Sequence, residues 1–195
     1  MAFLRIAEAR AAAQTVVGRL QKSADQILRE EKRSSLTSRY DVFLSHSYDD
    51  AEVILGVKKI MEGLGLTVYV DWIDDPKLDR SRVNKETAAV LRVRMKACSS
   101  LVYAHSPNAT DSKWMPWELG YFDGYKESSV WILPLVKDYD SEFKTQEYLG
   151  LYPTVDKISG LLGQVNLGFE NVGEARETIP LTKAARGTGV YLRTA

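Results

Sequence analysis

Short apolar runs alternate with helical segments between Tyr40 and Val136, and this alternation is the strongest constraint on the fold. The runs are rich in β-branched and aromatic residues, which is typical of buried strands: Val42–Leu44, Leu66–Val70, Ser100–Ala104 and Val130–Val136. Apolar residues at helical spacing predict helices at about 50–64, 83–96 and 113–125. Strands separated by helices form a parallel sheet that is covered on both faces. Because crossover connections are right-handed, this α/β pattern predicts a flavodoxin-like doubly wound parallel sheet.

The segments on either side of this region have different patterns. From Met1 to about Lys32 the chain is alanine-rich, with apolar residues at seven-residue intervals, which predicts an amphipathic N-terminal helix. Such a helix docks on a neighbouring domain or forms an oligomerising seam, and docking is favoured because alanine-rich seams are weak. A polar linker follows up to Arg39. The predicted organisation is therefore a helix and linker over 1–39, a core domain over 40–158 and a loop-rich extension over 159–195, with a short edge strand at 152–155.

The composition argues against several classes of function. The formal net charge is zero, so no overall basic field attracts nucleic acid or anionic lipid. A single cysteine, Cys98, excludes an internal disulfide, and with only two histidines a structural zinc site is not expected. No apolar run reaches the roughly 18 residues that span a bilayer. We therefore expect a cytoplasmic protein that has no metal, no nucleic-acid partner and no membrane contact.

One carboxylate lies within an aromatic stripe on the predicted helix near 113–125. Residues spaced by three or four positions share a helix face, and here they are Trp114, Glu118, Tyr121 and Tyr125. Ser112 is a suitable N-cap, which places Glu118 about one turn into the helix, near the sheet edge where ligands bind in this class of fold. A carboxylate among aromatic rings is either paired or used by the protein. The alternative is a salt-bridged or solvated glutamate beside ordinary core residues.

Four segments in the same order resemble the TIR family, the Toll/interleukin-1 receptor domains. They are YDVFLSHS at 40–47, LTVYVD at 66–71, SLVYAHS at 100–106 and SKWMPWEL at 112–119. They are similar to the family's first strand and following loop, its second strand leading into the BB loop, its third strand, and its αC helix with a Glu-Leu signature. The resemblance covers about 40–158. The BB loop departs from many relatives, because DDPK at 74–77 has a proline without the usual glycine.

The resemblance implies an activity for Glu118. In enzymatic TIR domains the glutamate at this position is essential for cleaving the nicotinamide–ribose bond of NAD+, giving ADP-ribose or a cyclic ADP-ribose isomer. It implies NAD+ as substrate with no separate cofactor, self-association through TIR domains, and anti-phage defence signalling in which a downstream effector senses the product. The chemistry suits one carboxylate, because loss of nicotinamide generates an oxocarbenium-like ribose whose positive charge a carboxylate stabilises.

Five residues are candidates for substrate binding, and each has a structural alternative. Ser45 and His46 follow the first strand and could meet a phosphate or ribose, or form a solvated turn. Trp72 could stack on a base, or serve the core or self-association. Trp114 and Tyr121 border Glu118 on the stripe, with packing favoured for Trp114. The acidic residues of the loop at 71–79 are interpreted as solvated, because their spacing matches no calcium loop.

Two other functions stay open at this point. A TIR adaptor without activity would use the same fold for self-association, and its Glu118 would be structural. A hydrolase of other nucleotide or deoxynucleoside glycosidic bonds would use a similar glutamate, and only a comparison of substrates would separate it from an NAD+-cleaving enzyme.

Overall fold

Among the described residues, the central sheet has five strands, all paired in parallel. The computed structural model describes residues 2–20, 22–24, 39–70, 83–126, 129–137, 143, 145–159, 165–172 and 176–186. The strands are β1 Leu4–Arg5, β2 Tyr40–Ser45, β3 Val68–Tyr69, β4 Cys98–His105 and β5 Val130–Val136. They lie side by side in the order β1-β5-β4-β2-β3, and this arrangement confirms the predicted flavodoxin-like doubly wound sheet.

Helices cover the sheet on both faces, and strand alternation divides the core into two layers. The helices are α1 Ile6–Leu20, α2 Ala51–Gly63, α3 Lys85–Ala97 and α4 Trp114–Tyr125. Val42 and Leu44 pack with α1 and α2 on one face, whereas Phe43 packs with α3 and α4 on the other. Successive strand residues point to opposite faces, so each strand contributes to both layers. Among the described residues, no helix is long and apolar enough to cross a membrane.

The N-terminal segment joins the sheet before it becomes helical. Leu4 and Arg5 pair with Leu135 and Val136 of β5, so the prediction of helix at these two positions is wrong. The pairing provides hydrogen-bond partners for backbone groups at the edge of β5. Helical periodicity could not predict it, because the pairing depends on a strand that is distant in the sequence. The helix itself docks on α2 and buries Ala9 and Ala13 within the chain. Its predicted continuation beyond Ala24 lies outside the described residues.

The C-terminal region contains a second sheet, which corrects the prediction of loops. Strands β6 Asp156–Ser159, β7 Val165–Val172 and β8 Arg176–Pro180 pair antiparallel, and a short helix α5, Leu181–Ala185, follows. Leu167 and Phe169 are buried, and the Phe169 ring lies 5.7 Å from that of Trp131 in β5. Glycine and threonine residues obscured the alternation of apolar and polar residues that predicts a strand. The strands themselves are stabilised by packing against the main core. The predicted edge strand at 152–155 is reduced to one parallel bridge between Thr154 and Ile132.

Candidate active site

Ser45 and Glu118 meet at the carboxyl edge of the sheet. Ser45 is the last residue of β2, and its hydroxyl donates to Glu118 Oε2 at 2.6 Å. Glu118 lies one turn into α4, and its exposed fraction is 0%. Ser112 acts as the predicted cap, because its Oγ accepts from the Met115 N–H at 3.2 Å, although the helix begins at Trp114. The cap and the strand end together fix the position of the carboxylate.

Tyr103 completes this cluster, and the sequence analysis did not identify it. It pairs with Ser45 in the register between β2 and β4, so both side chains lie on the face covered by α4. Burial raises the pKa of the Tyr103 hydroxyl, and the nearby Tyr148 hydroxyl and Glu118 carboxylate raise this pKa further. Tyr103 therefore stays protonated as a hydrogen-bond donor at neutral pH. The sequence places Tyr103 near the end of a predicted strand, but only the structure gives the register that puts it beside Ser45.

Two histidines lie close to this cluster in the chain, and both are buried. Nδ1 of His46 lies 2.8 Å from the carbonyl oxygen of Leu44, and since a carbonyl oxygen only accepts, Nδ1 carries the proton in this contact. His105 stacks on Tyr103 with ring centroids 6.1 Å apart, and meets Phe143 edge-on at 4.9 Å. Burial lowers the pKa of His105, so this imidazole is uncharged at neutral pH. The Nδ1 atom of His46 is therefore turned towards the backbone of β2, and the predicted contact of His46 with a ribose or phosphate stays a prediction.

The aromatic residues of α4 divide into two groups. Trp114 is buried in the core beneath the helix, which supports a packing role. Trp117, Tyr121 and Tyr125 form a ladder, with ring centroids 5.6 and 6.4 Å apart. The guanidinium of Arg92 on α3 lies 5.3 Å from the Trp117 ring centroid, so this ladder follows the outer side of α4. Glu118 faces the sheet instead. The residues that spacing placed on one face of the helix therefore lie on two, an inner face with Glu118 and an outer face with Tyr121 and Tyr125.

The remaining predicted site residue, Trp72, lies outside the described residues, and so does the acidic loop at 71–79. In the part of the chain that the structure describes, no group of three histidine, cysteine, aspartate or glutamate residues could hold a metal ion. The described site offers a buried carboxylate that accepts a hydrogen bond from a serine hydroxyl. Such a group can accept hydrogen bonds from ligand hydroxyls and stabilise a positive charge that develops beside it.

Sequence comparison places this architecture among known proteins. No family model matches the chain. The chain is 61% identical over 119 residues to a protein of Bacillus cereus (strain MSX-D12) named "Probable 3' cyclic ADP-D-ribose synthase ThsB'", a match that covers 60% of this chain and 61% of that relative. It is 37% identical over 83 residues to the "Putative cyclic ADP-D-ribose synthase TIR2" of Cytobacillus dafuensis, covering 42% of this chain and 22% of that relative. The chain thus spans only part of the length of each relative. The doubly wound parallel sheet, with Glu118 on the helix that follows β4, is the fold that the resemblance to TIR domains implies.

Proposed function

We propose that this protein cleaves the nicotinamide–ribose bond of NAD+, with Glu118 as the catalytic carboxylate. The observation that carries the proposal is the buried Glu118, held by Ser45 at 2.6 Å at the carboxyl edge of a parallel sheet. Ligands bind at this edge in doubly wound folds. The names of both relatives, which describe cyclic ADP-D-ribose synthases, support the same chemistry and favour a cyclic product over linear ADP-ribose.

The reaction requires little from the protein beyond electrostatic stabilisation. When the glycosidic C–N bond breaks, its electron pair returns to the pyridinium nitrogen, so nicotinamide leaves as a neutral molecule without an acid. The ribose becomes oxocarbenium-like, and the negative charge of Glu118 stabilises it. An adenine nitrogen or a hydroxyl of the same molecule then captures the cation to close a ring, or water captures it to give ADP-ribose. A hydroxyl or water releases its proton to the carboxylate or to solvent.

The other binding roles are proposed for a substrate whose ribose lies beside Glu118. Ser45 orients Glu118, and His46 lies beside it for contact with a ribose or phosphate group. Trp72 is proposed to contribute a stacking surface, and Trp114 supports the helix from the core. Tyr121 lies in the ladder on the outer side of α4 and is not assigned to the substrate. Because Glu118 is fully covered in this structure, the substrate reaches it only after its surroundings move. Self-association through TIR domains is the proposed trigger, and turnover per molecule should rise with protein concentration.

The cellular role is proposed from the same activity. A cyclic nucleotide product is suited to signalling, and we assign the protein to anti-phage defence in the cytoplasm, with a downstream effector that senses the product.

The test compares the wild-type protein with Glu118→Gln, which keeps the side-chain shape and removes the charge. Each is incubated with NAD+ over a range of protein concentrations, and products are resolved by liquid chromatography and mass spectrometry. We expect the substitution to reduce nicotinamide release by about 10²- to 10⁴-fold. Glu62→Gln is the matched control. Glu62 is paired with Lys58 and Lys59 near the C-terminal end of α2, whereas the loop after Ser45 leads into the N-terminal end of that helix. The control should retain wild-type turnover.

The product mass separates the outcomes. Nicotinamide together with a compound one water lighter than ADP-ribose identifies a cyclase, whereas ADP-ribose itself identifies a hydrolase. If neither protein turns over NAD+ at any concentration, the second candidate, a self-associating adaptor, replaces the enzyme. One observation favours that candidate, namely that Glu118 is fully buried and hydrogen-bonded, as a purely structural carboxylate would be.

A further inference from the structure

The loops that follow β2 and β4 are joined by a polar network at the carboxyl edge of the sheet. Asp50, at the start of α2, is 7% exposed, and one of its carboxylate oxygens accepts from the Ser106 hydroxyl. The other oxygen accepts from Asn108 Nδ2 at 2.7 Å. The Asn108 backbone N–H donates to Ser106 Oγ at 3.1 Å, which closes the network. We call Asp50, Ser106 and Asn108 the Asp50 network.

The Asp50 network lies at the ends of the two loops that follow the strands of the candidate active site. Ser45 ends β2, and the buried residues His46 and Ser47 lie between it and the turn Tyr48–Asp50. The Asp50 N–H donates to the Ser47 carbonyl oxygen at 3.2 Å. Ser106 directly follows β4, the strand that carries Tyr103. The network therefore fixes the far end of the loop that begins at Ser45, and fixes it to the neighbouring strand.

From this arrangement we infer that Asp50 is a positioning residue, whose carboxylate holds the loop after Ser45 against the end of β4 and so keeps Ser45 and His46 aligned with Glu118. The kinetic consequence rests on the proposed function, whereas the structural consequence does not. An ionised carboxylate suits this position because both of its oxygens accept, as the two donors require. Asparagine would accept at one oxygen only and would place an NH₂ group against a donor.

The experiment compares Asp50→Asn with Asp49→Asn, which makes the same change of charge at an exposed neighbouring position. The first readout is amide hydrogen exchange, measured by mass spectrometry on peptides that cover 45–50 and 106–112. We expect faster exchange in both peptides for Asp50→Asn and no change for Asp49→Asn. The second readout is NAD+ turnover at a temperature where both variants are folded. A misaligned loop should lower kcat/KM by about 10- to 100-fold, with a raised KM, because small displacements of binding groups are costly.

The results separate a positioning role from a merely structural one. A lower Tm with kcat and KM unchanged per folded molecule would overturn the inference, and so would unchanged exchange in either peptide. If the wild type fails to turn over NAD+, the proposed function fails, but the exchange measurement still decides whether Asp50 joins the two loops. If Asp50→Asn does not fold, Asn108→Ala removes one donor from an exposed residue and leaves the buried groups in place. It should then increase exchange in the same two peptides, and unchanged exchange would overturn the inference.

Discussion

At the scale of single residues, the contact between Ser45 and Glu118 combines a structural and a chemical role. A carboxylate withdrawn from water loses much of its hydration, and it is retained in a fold only when other groups replace that hydration. Ser45 provides one short hydrogen bond to it, at 2.6 Å. Hydrogen bonds to a charged acceptor contribute more to stability than those between neutral groups. The pair should therefore be visible in stability measurements that are independent of any activity.

Ser45→Ala should lower the free energy of unfolding by about 1.5–3 kcal/mol, because it removes a donor from a buried charged acceptor. Ser100→Ala is the matched control, since Ser100 is also buried in the sheet but donates to a neutral acceptor, the Asp41 carbonyl oxygen, at 2.7 Å. That variant should lose only about 1 kcal/mol. Urea unfolding of both variants measures the difference. Equal losses would show that the charge on Glu118 contributes nothing to this contact.

At the scale of elements, the N-terminal helix α1 packs unusually close to α2. A Cβ atom built at Gly56 would lie 1.7 Å from the Ala9 carbonyl oxygen, so only glycine allows this crossing. Small residues on both helices let the two backbones approach. The two buried alanines of α1, Ala9 and Ala13, thus belong to a close helix contact within the chain.

Gly56→Ala should destabilise the protein by about 1–3 kcal/mol or more, because the added methyl group forces two helix backbones apart. Gly63→Ala in the same helix is the control, since no atom lies within 4 Å of a Cβ built there. Alanine has the higher helix propensity, so this control should be neutral or slightly stabilising. Thermal unfolding followed by circular dichroism compares the two. A Gly56→Ala variant as stable as the control would contradict the close packing of α1 on α2.

At the scale of the whole molecule, the N-terminal segment meets β6 beside the central sheet. Ala2 and Lys157 form a β-bridge, and Lys157 Nζ lies 2.8 Å from Glu8 Oε1. Partial burial acts to raise the pKa of Glu8, but hydrogen bonds from Lys157 and from the Arg5 N–H, together with the positive charge of Lys157, lower the pKa overall. The folded protein therefore holds this carboxylate ionised more strongly than the unfolded chain does.

This lowered pKa predicts a specific pH dependence of stability. A carboxyl whose pKa is lower in the folded state stabilises the fold above its unfolded pKa, and the contribution disappears as the pH falls through the folded value. The ordinary pKa of a glutamate carboxyl is 4.5, so the contribution of Glu8 should be complete above that pH and should be lost progressively below it. Glu8→Gln should be less stable than the wild type at about pH 6, and the difference should vanish once the pH is low enough to protonate Glu8 in the folded protein. A difference that persists in acid would contradict the ion-pair origin, and Lys157→Met should behave as Glu8→Gln does.

The sequence by itself determined the parallel α/β sheet, because buried strands and amphipathic helices have different periodicities that local residues encode. It also indicated Glu118, since a carboxylate on an apolar helix face is costly and stands out without any knowledge of its neighbours.

Only the tertiary structure decided what that carboxylate contacts. The pairing of Ser45 with Tyr103, the addition of Leu4–Arg5 to the sheet and the Asp50 network all depend on strand register and loop packing. These contacts join residues far apart in the chain, and their free energy comes from burial and hydrogen bonds that form only when the whole core assembles. For the same reason the C-terminal sheet escaped prediction, because its strands are stabilised by the core against which they pack.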